Sequence, residues 1–125
     1  MKSLKMFVAI AIVVAVSFSL VSFEMGWVVP AADAAIRNPV TTSAASVAAG
    51  KTEYTAKCKM CHGATGVGVG TMAKPSNFTL PAFKAQTDGA IFYKINSGFD
   101  KMPSYKTKIA DAKTKWNIVN YLRTL

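Results

Sequence analysis

Histidine and cysteine are nearly absent from this chain: one His and two Cys in 125 residues. That scarcity excludes a four-ligand zinc centre of nitrogen and sulfur, which needs two more such ligands than exist here. Carboxylates do not fill the gap, because the nearest acidic residues, Glu53 and Asp88, stand at no recognisable ligand spacing. Acid is scarce too, with six Asp and Glu against fifteen Lys and Arg, for a net charge of +9. The basic residues are dispersed singly, without the clustered, aromatic-interleaved face of a nucleic-acid binder, so no nucleic-acid partner is expected. Strand-like alternation and internal repeats are also missing. The βαβ neighbourhood that a thioredoxin-like dithiol pair needs is therefore not there.

What little His and Cys the chain has falls in one pentapeptide, Cys58-Lys-Met-Cys61-His62. Only about 1 in 8,000 placements of two cysteines and one histidine on this chain gives C-x-x-C-H, the attachment signature of a c-type haem. The spacing suits the chemistry: two thiols add across the two vinyl groups of one porphyrin, and the next residue brings an imidazole to the iron. One covalent haem c is the expected cofactor, held by Cys58 and Cys61 with His62 as a metal ligand. Both thiols are then consumed, and none remains for a disulfide.

The N-terminus reads as an export segment. Lys2 and Lys5 precede an uncharged run from Met6 to Phe23, followed by Ala32-Asp33-Ala34 as an A-x-A-like cleavage site. The run is 18 residues long, which is also the threshold for a membrane-spanning helix. Residues 1–35 are thus a signal peptide or an uncleaved membrane anchor, with membrane contact through residues 6–29. By the positive-inside rule the lysines stay cytoplasmic. The rest is expected in the periplasm, soluble after cleavage or anchored to the inner membrane. Export fits the pentapeptide, since covalent c-haem attachment is carried out outside the cytoplasm. From Ile36 onward 13 Lys and Arg face 4 Asp and Glu. This balance suits redox protein partners with acidic docking surfaces.

Residues 36–45 lack apolar period and read as a linker, leaving 46–125 as the domain. The periodicity predicts an all-α fold. A helix from Ser46 delivers Cys58 and ends near His62-Gly63. A glycine-rich stretch, Gly63 to Gly70, and a two-proline loop, Lys74 to Phe83, follow. A second helix is predicted from Thr87 or Asp88 to a stop at Gly98, and a last one from about Asp111 to Arg123. About 80 ordered residues bury little core of their own, so the porphyrin is expected to be the largest apolar element and the apo-domain largely unfolded.

The second side of the iron needs a ligand, and no other His exists. Methionine is the usual partner. Met60 lies inside the attachment loop, on the wrong side of the ring, and Met72 reads better as a gap-filling core side chain. Met102, 40 residues beyond His62 and followed by Pro103, lets the chain pass round the porphyrin edge. Met102 is the expected ligand, ahead of Met72 and of a lysine or an open position; Lys101 is the lysine best placed to replace it at high pH.

At this point the exported region closely resembles a class I, mono-haem bacterial cytochrome c with His/Met ligation. The resemblance rests on Gly50, Tyr54, the pentapeptide with Gly63, Gly66 and Gly68, Gly98, Met102-Pro103 and the ending Trp116-Asn-Ile-Val-Asn-Tyr121-Leu-Arg. It spans about Val47 to Leu125. It implies the cytochrome c fold, short helices wrapped around a covalent haem, with Gly50 and Tyr54 packed against Tyr121. It also implies a proline carbonyl that accepts the Nδ1 hydrogen of the haem histidine. Pro75 is the candidate, with Pro81 second, although the loop lacks the usual Pro-x-Leu pattern. Asp111 stands where the family often has a Ser or Thr cap.

The function expected from this reading is that of a one-electron carrier, not an enzyme, in a periplasmic respiratory or oxidoreductase chain. The alternative is a haem-c enzyme or gas sensor whose distal Met is labile. An electron-transfer subunit held in a larger complex by residues 6–29 is a third form.

Overall fold

The computed structural model describes residues 26–68 and 76–125. Among them are six helices and no strand: α1 (Ala31–Ala34), α2 (Ala44–Lys57), α3 (Lys59–His62), α4 (Pro81–Lys84), α5 (Asp88–Ser97) and α6 (Ala112–Leu122). The all-α expectation holds. The apolar run 6–23 lies outside the described residues, and no described helix is long and apolar enough to cross a membrane.

Helix α6 is the centre of the fold. Asp111 caps it, accepting from the backbone of Lys113 and Thr114 at 3.3 and 2.9 Å. Every residue from Lys115 to Leu122 is buried, because α2, α5 and the segment before α2 surround it. Helix α2 starts two residues before the position predicted from periodicity. Ser43 and Ser46 form a reciprocal capping box, the Ser43 Oγ accepting from Ser46 N–H at 3.1 Å and Ser46 Oγ from Ser43 N–H at 2.9 Å.

The α2–α6 contact is set by Gly50. A methyl carbon there would stand 1.9 Å from the Asn117 carbonyl oxygen, so the two backbones touch. One turn further, Tyr54 packs against Tyr121 with ring centroids 5.1 Å apart. The Tyr54 hydroxyl donates to the Gly63 carbonyl at 2.6 Å. The expected Gly50, Tyr54 and Tyr121 packing is present, and it also anchors the chain just after His62.

Two stretches depart from the sequence expectation. Within the two-proline loop, Pro81 opens the helical turn α4, as proline suits the first helical position. The supposed linker is built into the domain instead of hanging free. Asn38 Nδ2 donates to Asn120 Oδ1 at 2.8 Å, Thr42 Oγ1 to the same oxygen at 3.1 Å, and Asn120 Nδ2 donates to Val40 O and Ser46 Oγ. Asn120, buried in a helix that is otherwise largely apolar, is thereby fully hydrogen-bonded. Arg123, at the C-terminal end of α6, reaches Asp88 at 2.7 Å and ties α6 to α5.

Candidate functional site

The pentapeptide sits on a break between helices. Cys58 leaves helical geometry at φ −116°, ψ −34°, and α3 then carries Cys61 and His62 before Gly63 turns the chain at φ 77°. Both cysteines are free and half-buried. Burial, with Glu53 and then Cys61 adding to it, pushes the Cys58 thiol up to about 12.

His62 is half-buried and lies flat against Phe78, centroids 4.6 Å apart at 26°. Phe78 is held there because its N–H donates to Gly66 O at 2.8 Å, while Gly68 N–H donates to His62 O at 2.8 Å. Gly66, at φ 76°, has no room for a side chain, since a methyl carbon would meet Leu125 at 2.8 Å and Phe78 at 3.0 Å. Burial lowers the His62 pKa, and the Ser76 backbone beside it acts in the opposite sense. The Nδ1 atom is buried and has no hydrogen-bond partner. Two thiols three residues apart, followed directly by a half-buried imidazole, with no further His or Cys in the chain, match the donor set of a c-haem. Among the described residues no group of three His, Cys, Asp or Glu side chains could hold a bare metal ion.

Met102 is half-buried against the core. Gly98, at φ 67°, ends α5, and a methyl carbon there would strike Met102 O and Ser104 N. Phe99 and Met102 exchange both backbone hydrogen bonds at 2.9 Å, with Asp100 at φ 51° inside the turn. Ser104 Oγ donates to Asn96 O at 2.7 Å, and Tyr105 N–H to Ile95 O at 3.1 Å. The Tyr105 hydroxyl then donates to Lys57 O at 2.8 Å, the residue before Cys58. Burial and the neighbouring Cys58 and Cys61 raise the Tyr105 phenol. One side chain, 48 residues away in sequence, thus joins the Met102 loop to the attachment motif. Nothing in the sequence pattern marked Tyr105 for that part.

Residues 45–122 match the family described as cytochrome C oxidase, cbb3-type, subunit III. The chain belongs to this cytochrome c family. No curated protein matches it closely enough to count as a relative.

In this cytochrome c domain the other expected site residues fall as follows. Pro75, Met72 and Lys74 lie outside the described residues. Pro81 is exposed, and its carbonyl is engaged by Ala85 N–H at 2.9 Å within α4. Met60 is 82% exposed, in keeping with its exclusion as a ligand. Lys57, Lys59 and Lys101 are exposed, as are Lys106 and Lys108 on the loop that Tyr105 ties to Lys57.

Proposed function

We propose that the chain is a one-electron carrier with a single haem c, covalently held by Cys58 and Cys61 and closed by His62 and Met102. The observation that carries this reading is the Tyr105–Lys57 hydrogen bond, which draws the methionine loop and the attachment motif together. The haem supplies the redox couple. The protein's own residues hold it, exclude water and keep the ligand set fixed. A thioether and an imidazole in both oxidation states leave no open position for oxygen, peroxide or nitrite, and they keep reorganisation on electron transfer small. The unpartnered His62 Nδ1 is left for the carbonyl of Pro75 or of the adjacent Ser76 to accept, which would fix the orientation of the ring.

The haem domain works in the periplasm, and the apolar run from Met6 to Phe23 holds it at the inner membrane. Lys57, Lys59, Lys101, Lys106 and Lys108 orient the exposed edge toward partners with acidic docking surfaces, so association weakens as salt rises. The competing reading, an enzyme or sensor with a labile methionine, is separated by carbon monoxide. The reduced protein is expected to bind it only slowly and incompletely at neutral pH. Rapid, complete binding would show an open iron and sink the carrier assignment.

A further inference from the structure

Trp27 and residues 33–36, at the end of the segment expected to be cleaved or to serve as an anchor, are docked on the domain. Thr87 Oγ1, at the cap of α5, donates to Ala34 O at 2.6 Å. Gly89 lies in the first turn of α5, where glycine costs about 1 kcal/mol relative to alanine. A methyl carbon at Gly89 would come within 2.2 Å of Asp33 O and 2.6 Å of Ile36 O. The glycine is therefore accounted for by the close passage of residues 33–36. Upstream, the Trp27 ring stacks on Phe99 with centroids 5.3 Å apart at 23°. Lys94 Nζ lies 5.4 Å from the centroid of the Trp27 ring and donates to Gln86 Oε1 at 2.6 Å. Phe99 is the residue that exchanges both backbone hydrogen bonds with Met102.

We propose that Trp27 is a positioning residue for Met102, acting through Phe99, and that residues 26–36 are a permanent part of the working protein. This rests on Met102 being the iron ligand. Phe99, on which Trp27 stacks, and Met102 close a turn of four residues whose Asp100 is at φ 51°, a conformation that non-glycine residues visit at a cost. An aromatic cover on one face of Phe99 holds that turn in place. Cleavage after Ala32-Asp33-Ala34 would remove Trp27 and the whole of α1, so the A-x-A match is not used.

The test takes the full-length holoprotein and three variants: Trp27→Ala, Trp27→Phe and Gly89→Ala. Intact mass of the wild type is expected to include Trp27. The ferric sulfur-to-iron charge-transfer band in the far red is expected to fall by at least about half in Trp27→Ala and to be retained in Trp27→Phe. Gly89→Ala dislodges the same segment while improving intrinsic helix propensity, so its band is expected to fall with helix content unchanged. A mature chain that begins after Ala34, or a full band in both Trp27→Ala and Gly89→Ala, overturns the proposal. A wild type with no band at all overturns the ligand assignment instead, and the positioning role with it.

Discussion

Replacing Cys58 and Cys61 together by serine is expected to leave a chain that has lost most of its helical far-ultraviolet signal and unfolds without a cooperative transition. The buried aromatic and aliphatic core runs along α6, α5 and one face of α2. The side that carries His62 is held by little more than Phe78, a glycine-rich turn and the Tyr54 hydroxyl. A chain of this size has only a narrow excess of burial over conformational entropy. Covalent haem supplies apolar surface that no side chain here replaces. Wild-type protein made without haem maturation is expected to look the same as the double-serine variant, which separates loss of haem from an effect of serine. A double-serine protein with native helix content and a sharp thermal transition would show that the polypeptide folds by itself.

Gly50→Ala is the second large effect. Alanine is the better helix former by about 1 kcal/mol, so propensity alone favours the variant. The structure reverses the sign. A methyl carbon 1.9 Å from Asn117 O and 3.0 Å from Ile118 N has backbone, not a mobile side chain, in its way. The helices must move apart, and the Tyr54–Tyr121 contact and the Tyr54–Gly63 hydrogen bond move with them. Overpacking of this kind costs on the order of 3 kcal/mol, a large share of a marginal total. Chemical denaturation of the holoprotein should show that loss, whereas Ala49→Gly, at an exposed neighbouring position of the same helix, is expected to cost no more than about 1 kcal/mol. Equal midpoints for Gly50→Ala and wild type would refute the close approach.

These effects bear on how much of the molecule could be read in advance. Cys58, Cys61 and His62 stand out because their C-x-x-C-H spacing suits thioether chemistry, and Gly50, Tyr54, Asp111 and Gly98 were legible because caps and close contacts need particular residue types. The start of α2 was misplaced because Ser43 pairs with Ser46, where a capping box more often ends in Glu or Gln. The docking of residues 31–36 was hidden for a plainer reason. It is made by backbone carbonyls of Asp33, Ala34 and Ile36 meeting Thr87 and Gly89, and carbonyls carry no sequence signal. Its trace in the sequence was Gly89, a glycine inside a helix. Tyr105 escaped notice because its partner is a backbone oxygen far away in the chain.

A closed iron depends on Met102. The most direct measurement is the ferric far-red spectrum of the holoprotein beside that of Met102→Ala. The wild type is expected to show the sulfur-to-iron charge-transfer band, and the variant to lose it while its reduced form gains rapid carbon monoxide binding. A band that survives in Met102→Ala would mean that another residue closes the iron, and the closed His62/Met102 carrier would have to be abandoned.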